Sequence, residues 1–188
     1  MEHRFYIKSE KDQNRILTKL AIITIVVILI SIIISIKSGL YLIGIFMFSV
    51  IISIIAPFFD TPSLKKSGKL IYYSSLFLTE KPKDGIIKIH GGTLFDYYFV
   101  IDKKMKGNQR TKFILQQYLQ GLLCLIEKHR DKSEMKLQGT SYIINKRTAE
   151  KIGFKIIQTD FLQKLTLIYN YFNLLTSNSI AKKKISST

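Results

Sequence analysis

The side chains best suited to chemistry are few in this chain and lie far apart in the sequence. The histidines are His3, His90 and His129, and the only cysteine is Cys124. His90 lies six residues before Asp96, and a histidine–carboxylate pair could serve as a general base. A solvated histidine at the end of a hairpin is the plainer interpretation. Because no histidine has the close spacing of metal ligands, we expect no metal site.

The other candidate groups have structural interpretations. Cys124 stands among leucine and isoleucine residues, so we expect a small core residue and not a nucleophile. A single cysteine also excludes an intrachain disulfide. The carboxylates Asp84, Asp96 and Asp102 form no obvious acid–base pair, and we expect each at a solvated turn or loop position.

Cations cluster between residues 103 and 112. The cluster consists of Lys103, Lys104, Lys106, Arg110 and Lys112. It could bind the phosphate of CoA, a nucleotide or a lipid, or it could be a solvated loop that faces anionic headgroups. The net charge of +16 favours an anionic partner. The sequence has no basic stripe with interleaved aromatic residues, so we expect no nucleic-acid partner.

Two apolar stretches near the N-terminus are long enough to cross a membrane. Residues 20–36 and 38–59 contain no charged side chain, and only Lys37 separates them. As helices they would extend about 26 Å and about 33 Å, against about 30 Å of hydrocarbon. We therefore predict a transmembrane helical hairpin over residues 19–60. Pro57 is expected to end or kink the second helix.

The cations that flank this hairpin predict its orientation. Lysine and arginine residues precede the first run and follow the second, whereas the connection carries only Lys37. Both termini are therefore expected in the cytoplasm, and the chain is expected to be an integral protein of the inner membrane. Its partners would be the lipid bilayer and anionic headgroups. The alternatives are a buried helical pair in a soluble protein, or a hairpin that enters the bilayer without crossing it.

The remaining sequence alternates extended and helical patterns. Strands are predicted over residues 69–79, 86–90, 93–101, 135–144 and 154–158, and helices over 111–129, 146–152 and the segment capped by Asp160. Gly91-Gly92 predicts a tight turn between the second and third strands. The expected fold class is α+β, with the hairpin followed by a small, three-layer-like α/β domain. The expected divisions are an N-terminal segment (1–18), the hairpin (19–60), a cytoplasmic domain (64–180) and a basic tail (181–188).

Two local motifs resemble those of the GNAT superfamily of N-acetyltransferases. In that family a strand leads into a loop of the form Gln/Arg-x-x-Gly-x-Gly/Ala, which opens a long helix and holds the acyl-CoA pyrophosphate on backbone N–H groups. Residues 99–110 resemble this piece, with Lys104 at the first motif position and Gly107 at the fourth. The second motif is a strand, an asparagine and a short helix closing in Gly-Phe. Residues 142–154, with the asparagine at Asn145, resemble it.

The resemblance implies a GNAT-like fold over about residues 70 to 158 and a site for acetyl-CoA or another acyl-CoA. The cofactor-binding residues that it implies are Lys104, Gly107, Asn108, Gln109, Arg110 and Asn145. This sequence departs from the family pattern at several points. Lys104 replaces the usual Gln or Arg. Gln109 stands where the loop usually has its second small residue. Ala149 stands where members often carry a tyrosine that protonates the leaving thiolate.

Three functions are open at this point. The leading hypothesis is a membrane-tethered binding or regulatory module without catalysis, because Ala149 and Gln109 replace residues that catalysis would need. The second is an active acyl-CoA-dependent N-acyltransferase at the membrane. The third is a structural subunit of a membrane complex or a homo-oligomer, with helices that meet through small residues. Those small residues are Ser31, Ser35, Gly39, Gly44, Ser49 and Ser53.

Overall fold

The computed structural model describes residues 3–130, 136–139, 146–151, 153–155, 157 and 161–182. Within these residues the protein is a mixed α+β structure that begins with two long apolar helices, α1 (Glu10–Ser38) and α2 (Tyr41–Lys66). Both helices are long and apolar enough to cross a membrane by length and composition. The expected helical hairpin is therefore confirmed as a pair of helices.

Local sequence signals set the ends of the two long helices. Ser9 caps α1, because its hydroxyl accepts a hydrogen bond from the Asp12 N–H at 3.2 Å. Gly39 ends α1 in the left-handed conformation, with φ of 70°. Of the two expected effects of Pro57, an end or a kink of the helix, the end is wrong, because α2 continues to Lys66. A proline removes only one helical hydrogen bond, and packing of α2 against the rest of the fold outweighs that loss.

Small residues bring α1 and α2 together. A Cβ atom added at Gly44 would lie 2.4 Å from Ser35 Oγ, so glycine is required for this approach of the two helices. The Ser35 hydroxyl donates to the Leu40 carbonyl at 3.0 Å. Ser53, another small residue of α2, donates to the Tyr169 carbonyl at 3.0 Å. Three of the small residues predicted to line helix contacts therefore serve contacts within the chain.

The sheet has four strands in the order β1-β2-β3-β4. They are β1 (Leu70–Ser74), β2 (Phe77–Glu80), β3 (Ile86–Gly91) and β4 (Lys136–Gly139). The first two pairings are antiparallel, and β4 joins β3 in parallel. The predicted single strand over 69–79 is two strands, because the chain turns at Ser75, whose N–H donates to Gln117 Oε1 at 3.0 Å. The predicted strand over 135–144 is described only at β4.

The predicted strand over residues 93–101 is wrong, because this segment forms the helix α3 (Leu94–Val100). Thr93 and Asp96 form a capping box at its start. The Thr93 hydroxyl accepts from the Asp96 N–H at 3.4 Å, and Asp96 Oδ2 accepts from the Thr93 N–H at 2.7 Å. These paired bonds favour a helix start and outweigh the strand preference of the aromatic residues. Gly91-Gly92 therefore joins a strand to a helix and makes no hairpin turn.

The remaining helices are α4 (Gly107–Lys128), α5 (Lys146–Lys151), α6 (Phe161–Tyr169) and α7 (Tyr171–Lys182). α4 begins four residues before its predicted start and packs on β1 and β2. α5 is followed by Gly153 with φ of 88°, as predicted. Residues 154, 155 and 157 are not extended strand, contrary to prediction, and Asp160 lies outside the described residues. α7 packs against α3 and α4.

Glycine at position 121 allows α4 to lie close to the sheet. A Cβ atom added there would lie 2.4 Å from the Phe77 Cβ atom. We predict that Gly121→Ala destabilises the protein by about 1–3 kcal/mol through overpacking, although alanine is otherwise the better helix residue by about 0.5–1 kcal/mol. Thermal unfolding of the detergent-solubilised chain measures the change. Gln116→Ala, at an exposed position of the same helix, is the control, and equal stability of the two variants would contradict the prediction.

Candidate functional site

The most connected polar group of the structure is the carboxylate of Asp96, whose side chain is fully buried. Its Oδ1 atom lies 2.6 Å from the donating Tyr72 hydroxyl and 3.1 Å from His3 Nε2. Its Oδ2 atom accepts from the Thr93 N–H and, at 2.8 Å, from the Thr93 hydroxyl. These four donors compensate the loss of water around the carboxylate. The sequence-based expectation that Asp96 is solvated is therefore wrong.

The helix α2 joins this network through Thr61. The Thr61 and Thr93 hydroxyls lie 3.2 Å apart. Because the Thr93 hydrogen points to Asp96, Thr61 is the donor of this pair. Thr61 is itself 2% exposed, so the contact is shielded from water. The Asp96 network therefore connects α3 and β1 to the end of α2.

The tyrosines next to Asp96 are held in the neutral form. Burial is the main cause that raises the pKa of Tyr72, and the nearby Asp96 charge raises it further. Burial also raises the pKa of Tyr6, whose hydroxyl lies 3.4 Å from that of Tyr72. The Lys65 ammonium lies 3.2 Å from the centre of the Tyr6 ring, as a cation–π contact. The network therefore combines a buried carboxylate with neutral phenols.

The segment that precedes α1 is folded against the domain. Arg4 binds the carboxyl end of α3, donating to the carbonyls of Phe99, Tyr98 and Ile101 at 2.6, 2.9 and 2.9 Å. A guanidinium there satisfies carbonyls that lack helical partners and suits the negative end of the helix dipole. Phe5 is fully buried beside Phe95. The segments before α1 and after α2 therefore lie on the same side of the helical hairpin.

His3 and Asp96 form the histidine–carboxylate pair that the sequence suggested for His90. His3 is 8% exposed and stacks on Phe95, with ring centroids 5.1 Å apart. His3 Nδ1 is buried without a hydrogen-bond partner among the described residues. Because aromatic side chains enclose the pair, it has no room for a substrate. We assign it a structural role.

A cavity of about 900 Å³ lies between the end of α2, residues of β2 and β3, and the α6–α7 pair. Its apolar wall includes Ala56, Leu64 and Leu174. Its acidic lining residues are Asp60 and Glu80, and His90 also lines it. This size matches that of ordinary ligand sites, which combine an apolar wall with a few polar groups. The cavity is the candidate binding site.

His90 pairs with Glu80, and not with Asp96, at the edge of the cavity. Its Nε2 atom lies 2.9 Å from Glu80 Oε1, and both side chains are nearly half exposed. Lys88 lies 3.9 Å from the other oxygen of Glu80. One histidine and one carboxylate are therefore exposed to water beside the apolar wall of the cavity.

The residues predicted to bind a cofactor lie at the start of α4. Lys104, Asn108 and Gln109 are exposed there, and Gly107 is the first helical residue. Gln109 Oε1 accepts from the Lys106 N–H at 2.8 Å. Arg110 is buried, and its guanidinium donates to three carbonyls. These carbonyls belong to Met105, Ile180 and Lys103. Asn145 lies outside the described residues.

Sequence reasoning missed most of the Asp96 network. The spacing Thr93-x-x-Asp96 is a capping-box signal and could have located α3. By contrast, no local pattern links His3 to a carboxylate 93 residues away. Cys124 is exposed, so the expectation of a core residue is wrong. The helix α4 turns Leu125 inward and leaves Cys124 on its outer face.

Comparison with known proteins identifies no relative of this chain. No protein-family description, characterised protein or solved structure matches this chain. The resemblance to GNAT acetyltransferases therefore stays a prediction from two sequence motifs.

The Asp96 carboxylate is predicted to be a major source of stability. We expect Asp96→Asn to cost about 2–3 kcal/mol, because the amide hydrogens face the donors of Thr93 and the bonds to His3 and Tyr72 weaken. The control is Glu80→Gln, which alters an ion pair at an exposed edge and should change stability by less than about 0.5 kcal/mol. Thermal unfolding in detergent compares the two. Equal effects would contradict a central role for Asp96.

Proposed function

We propose that this chain is a membrane-anchored binding module without catalytic activity, and that its cavity takes an amphiphilic ligand. The observation that carries the proposal is the position of the cavity, which is bounded by the last turns of α2 on one side and by residues of the sheet on the other. A ligand there would contact the anchor and the folded part at once. Such a site suits a sensor or regulator whose two halves respond to one molecule.

Anchoring is supported by the surfaces of α1 and α2. Their apolar side chains are largely exposed, for example Ile33 at 53% and Leu42 at 82%. Water would not favour so much exposed apolar surface, whereas a bilayer would. We propose that the helices cross the inner membrane and that the flanking cations hold both termini in the cytoplasm. Anionic headgroups are the proposed partners of those cations.

The lining of the cavity selects the chemistry of the ligand. Leu64, Leu94 and Leu174 supply apolar surface for a hydrocarbon chain. Asp60 supplies negative charge, Glu80 is already paired with His90 and Lys88, and no lysine or arginine lines the cavity within the described residues. In a protein with a net charge of +16 this is a local reversal of sign. The site therefore suits an amphiphile with a cationic polar end.

We predict that the solubilised protein binds dodecylamine more tightly than dodecanoic acid, which has the same chain length and the opposite charge. Native mass spectrometry of the detergent complex counts the bound molecules. Asp60→Asn should weaken dodecylamine binding several-fold, because it removes a carboxylate from the lining. Leu174→Trp should prevent binding by filling the cavity.

The control for the filling variant is Gln116→Trp, which places the same side chain at an exposed position of α4. It should bind dodecylamine as the native chain does. Equal binding of the amine and the acid, or unchanged binding in Leu174→Trp, would contradict a cation-selective cavity. Because the native chain has no tryptophan, the fluorescence of either variant also reports whether the introduced ring is buried.

A second candidate function, acyl-CoA-dependent N-acyl transfer, is favoured by the start of α4. Lys103 and Lys104 are exposed in a loop that leads directly into this helix. The first turn of a helix presents backbone N–H groups that can bind a phosphate. The binding-module proposal makes no use of this feature, so one experiment separates the two functions.

We predict that acetyl-CoA does not raise the melting temperature of the native chain. A ligand at 100 times its dissociation constant would add about 2.7 kcal/mol of stability, which is easily detected. The variants Lys104→Glu and Lys81→Glu, both at exposed positions, provide the comparison. A rise in melting temperature that Lys104→Glu abolishes and Lys81→Glu keeps would favour the transferase.

A further inference from the structure

We propose that α6 and α7 form a re-entrant helical pair that enters the cytoplasmic leaflet beside α2 and contacts lipid. The inference goes beyond ligand binding and needs only the proposed anchoring by α1 and α2. The pair would be a third membrane element in a chain whose hydropathy indicates two membrane-spanning helices. Between Lys164 and Lys182 the sequence has no charged residue, so this segment carries no charge into lipid.

Two contacts fix how far the pair extends along α2. Ser53 Oγ donates to the Tyr169 carbonyl at 3.0 Å, and the rings of Phe46 and Phe172 meet edge to face with centroids 5.7 Å apart. Asp60 is the first charged residue after the apolar run of α2. At about 1.5 Å per helical residue, Ser53 lies about 10 Å below the level of Asp60 and Phe46 about 21 Å below it. The turn between α6 and α7 is therefore at membrane depth.

The far end of α7 returns to the folded part. Arg110 Nη1 donates to the Ile180 carbonyl at 2.7 Å, and Ala181 is 6% exposed in the cluster of Leu76 and Tyr97. A helix of 12 residues extends about 18 Å. This length is less than two thirds of a hydrocarbon core of about 30 Å. The pair therefore enters and leaves on the same side and does not cross.

Three polar side chains of the pair donate to backbone carbonyls within the pair. Thr176 Oγ1 donates to the Phe172 carbonyl at 2.7 Å, and Ser179 Oγ donates to the Leu175 carbonyl at 3.0 Å. Asn170 Nδ2 donates to the Thr166 carbonyl at 3.0 Å. Internal hydrogen bonding of this kind is what lipid requires, because it offers no partner to a polar group. The pattern thus fits insertion better than exposure to water.

Apolar side chains of α6 and of the turn face outward. The exposed ones are Phe161, Leu165, Ile168, Tyr169 and Tyr171, with Ile168 at 71%. The occupant that we assign to this surface is the acyl chains of the cytoplasmic leaflet. The surface is continuous, through Phe172 and Phe46, with the exposed apolar surface of α2. A protein partner would need to enter the bilayer to cover it.

Single cysteines test the insertion in the full chain. Because Cys124 is exposed, Cys124→Ser is the background, and the variants are Ile168→Cys, Ile33→Cys as a membrane reference and Lys104→Cys as a water reference. Each is spin-labelled in nanodiscs of anionic phospholipid, and collisions with oxygen and with a water-soluble nickel chelate are measured. We expect the oxygen-to-nickel ratio at residue 168 to match that at residue 33 and to exceed that at residue 104 several-fold.

Three results would contradict the insertion of the pair, the assignment of lipid as its occupant, or the anchoring by α1 and α2. A ratio at residue 168 equal to that at residue 104 places the turn in water and overturns the insertion. Low collision rates with both reagents indicate cover by protein and overturn lipid as the occupant. A water-like ratio at residue 33 shows that the anchoring itself fails, which the other two variants cannot mimic. Circular dichroism of each variant confirms the helical fold, so that misfolding is not taken for exposure.

Discussion

A single buried carboxylate organises this fold. Asp96 is fully buried, and its oxygens bind donors from the segment before α1, from β1 and from the start of α3. An uncompensated carboxylate in such surroundings would cost several kcal/mol, so His3, Tyr72 and Thr93 must all be in place together. The N-terminal segment is thereby part of the folded unit and not a free leader to the first helix.

The need to surround Asp96 with donors explains how the helical hairpin and the domain are held together. Arg4 holds the carboxyl end of α3 and Thr61 extends the Asp96 network into α2. The cavity lies beside this junction, with Thr61 and Thr93 among its lining residues. A molecule bound there would lie next to two residues of the Asp96 network. We infer that occupancy of the cavity and the packing of α2 on the domain are coupled.

Strong periodic or compositional signals predicted their elements well. Two uncharged runs gave the helical pair, and the apolar stripe around Ile114 and Leu125 gave α4. Prediction failed where two local preferences compete: the aromatic residues after Thr93 favour a strand, but the capping box with Asp96 decides for a helix. The long-range pairing of His3 with Asp96 had no local signal, because it depends on how the chain returns after two long helices. The cavity had no local sequence signal either, because its lining also comes from segments that are far apart in the chain.

Hydrogen–deuterium exchange of the full chain in nanodiscs tests the central claim most directly. If the Asp96 network holds the N-terminal segment in the fold, peptides from residues 3–8 should exchange as slowly as those from α3, and Asp96→Asn should accelerate both together. Exchange of residues 3–8 at the rate of an unfolded peptide, with α3 still protected, would contradict the account. The buried carboxylate would then be a local feature of one helix and not the link between anchor and domain.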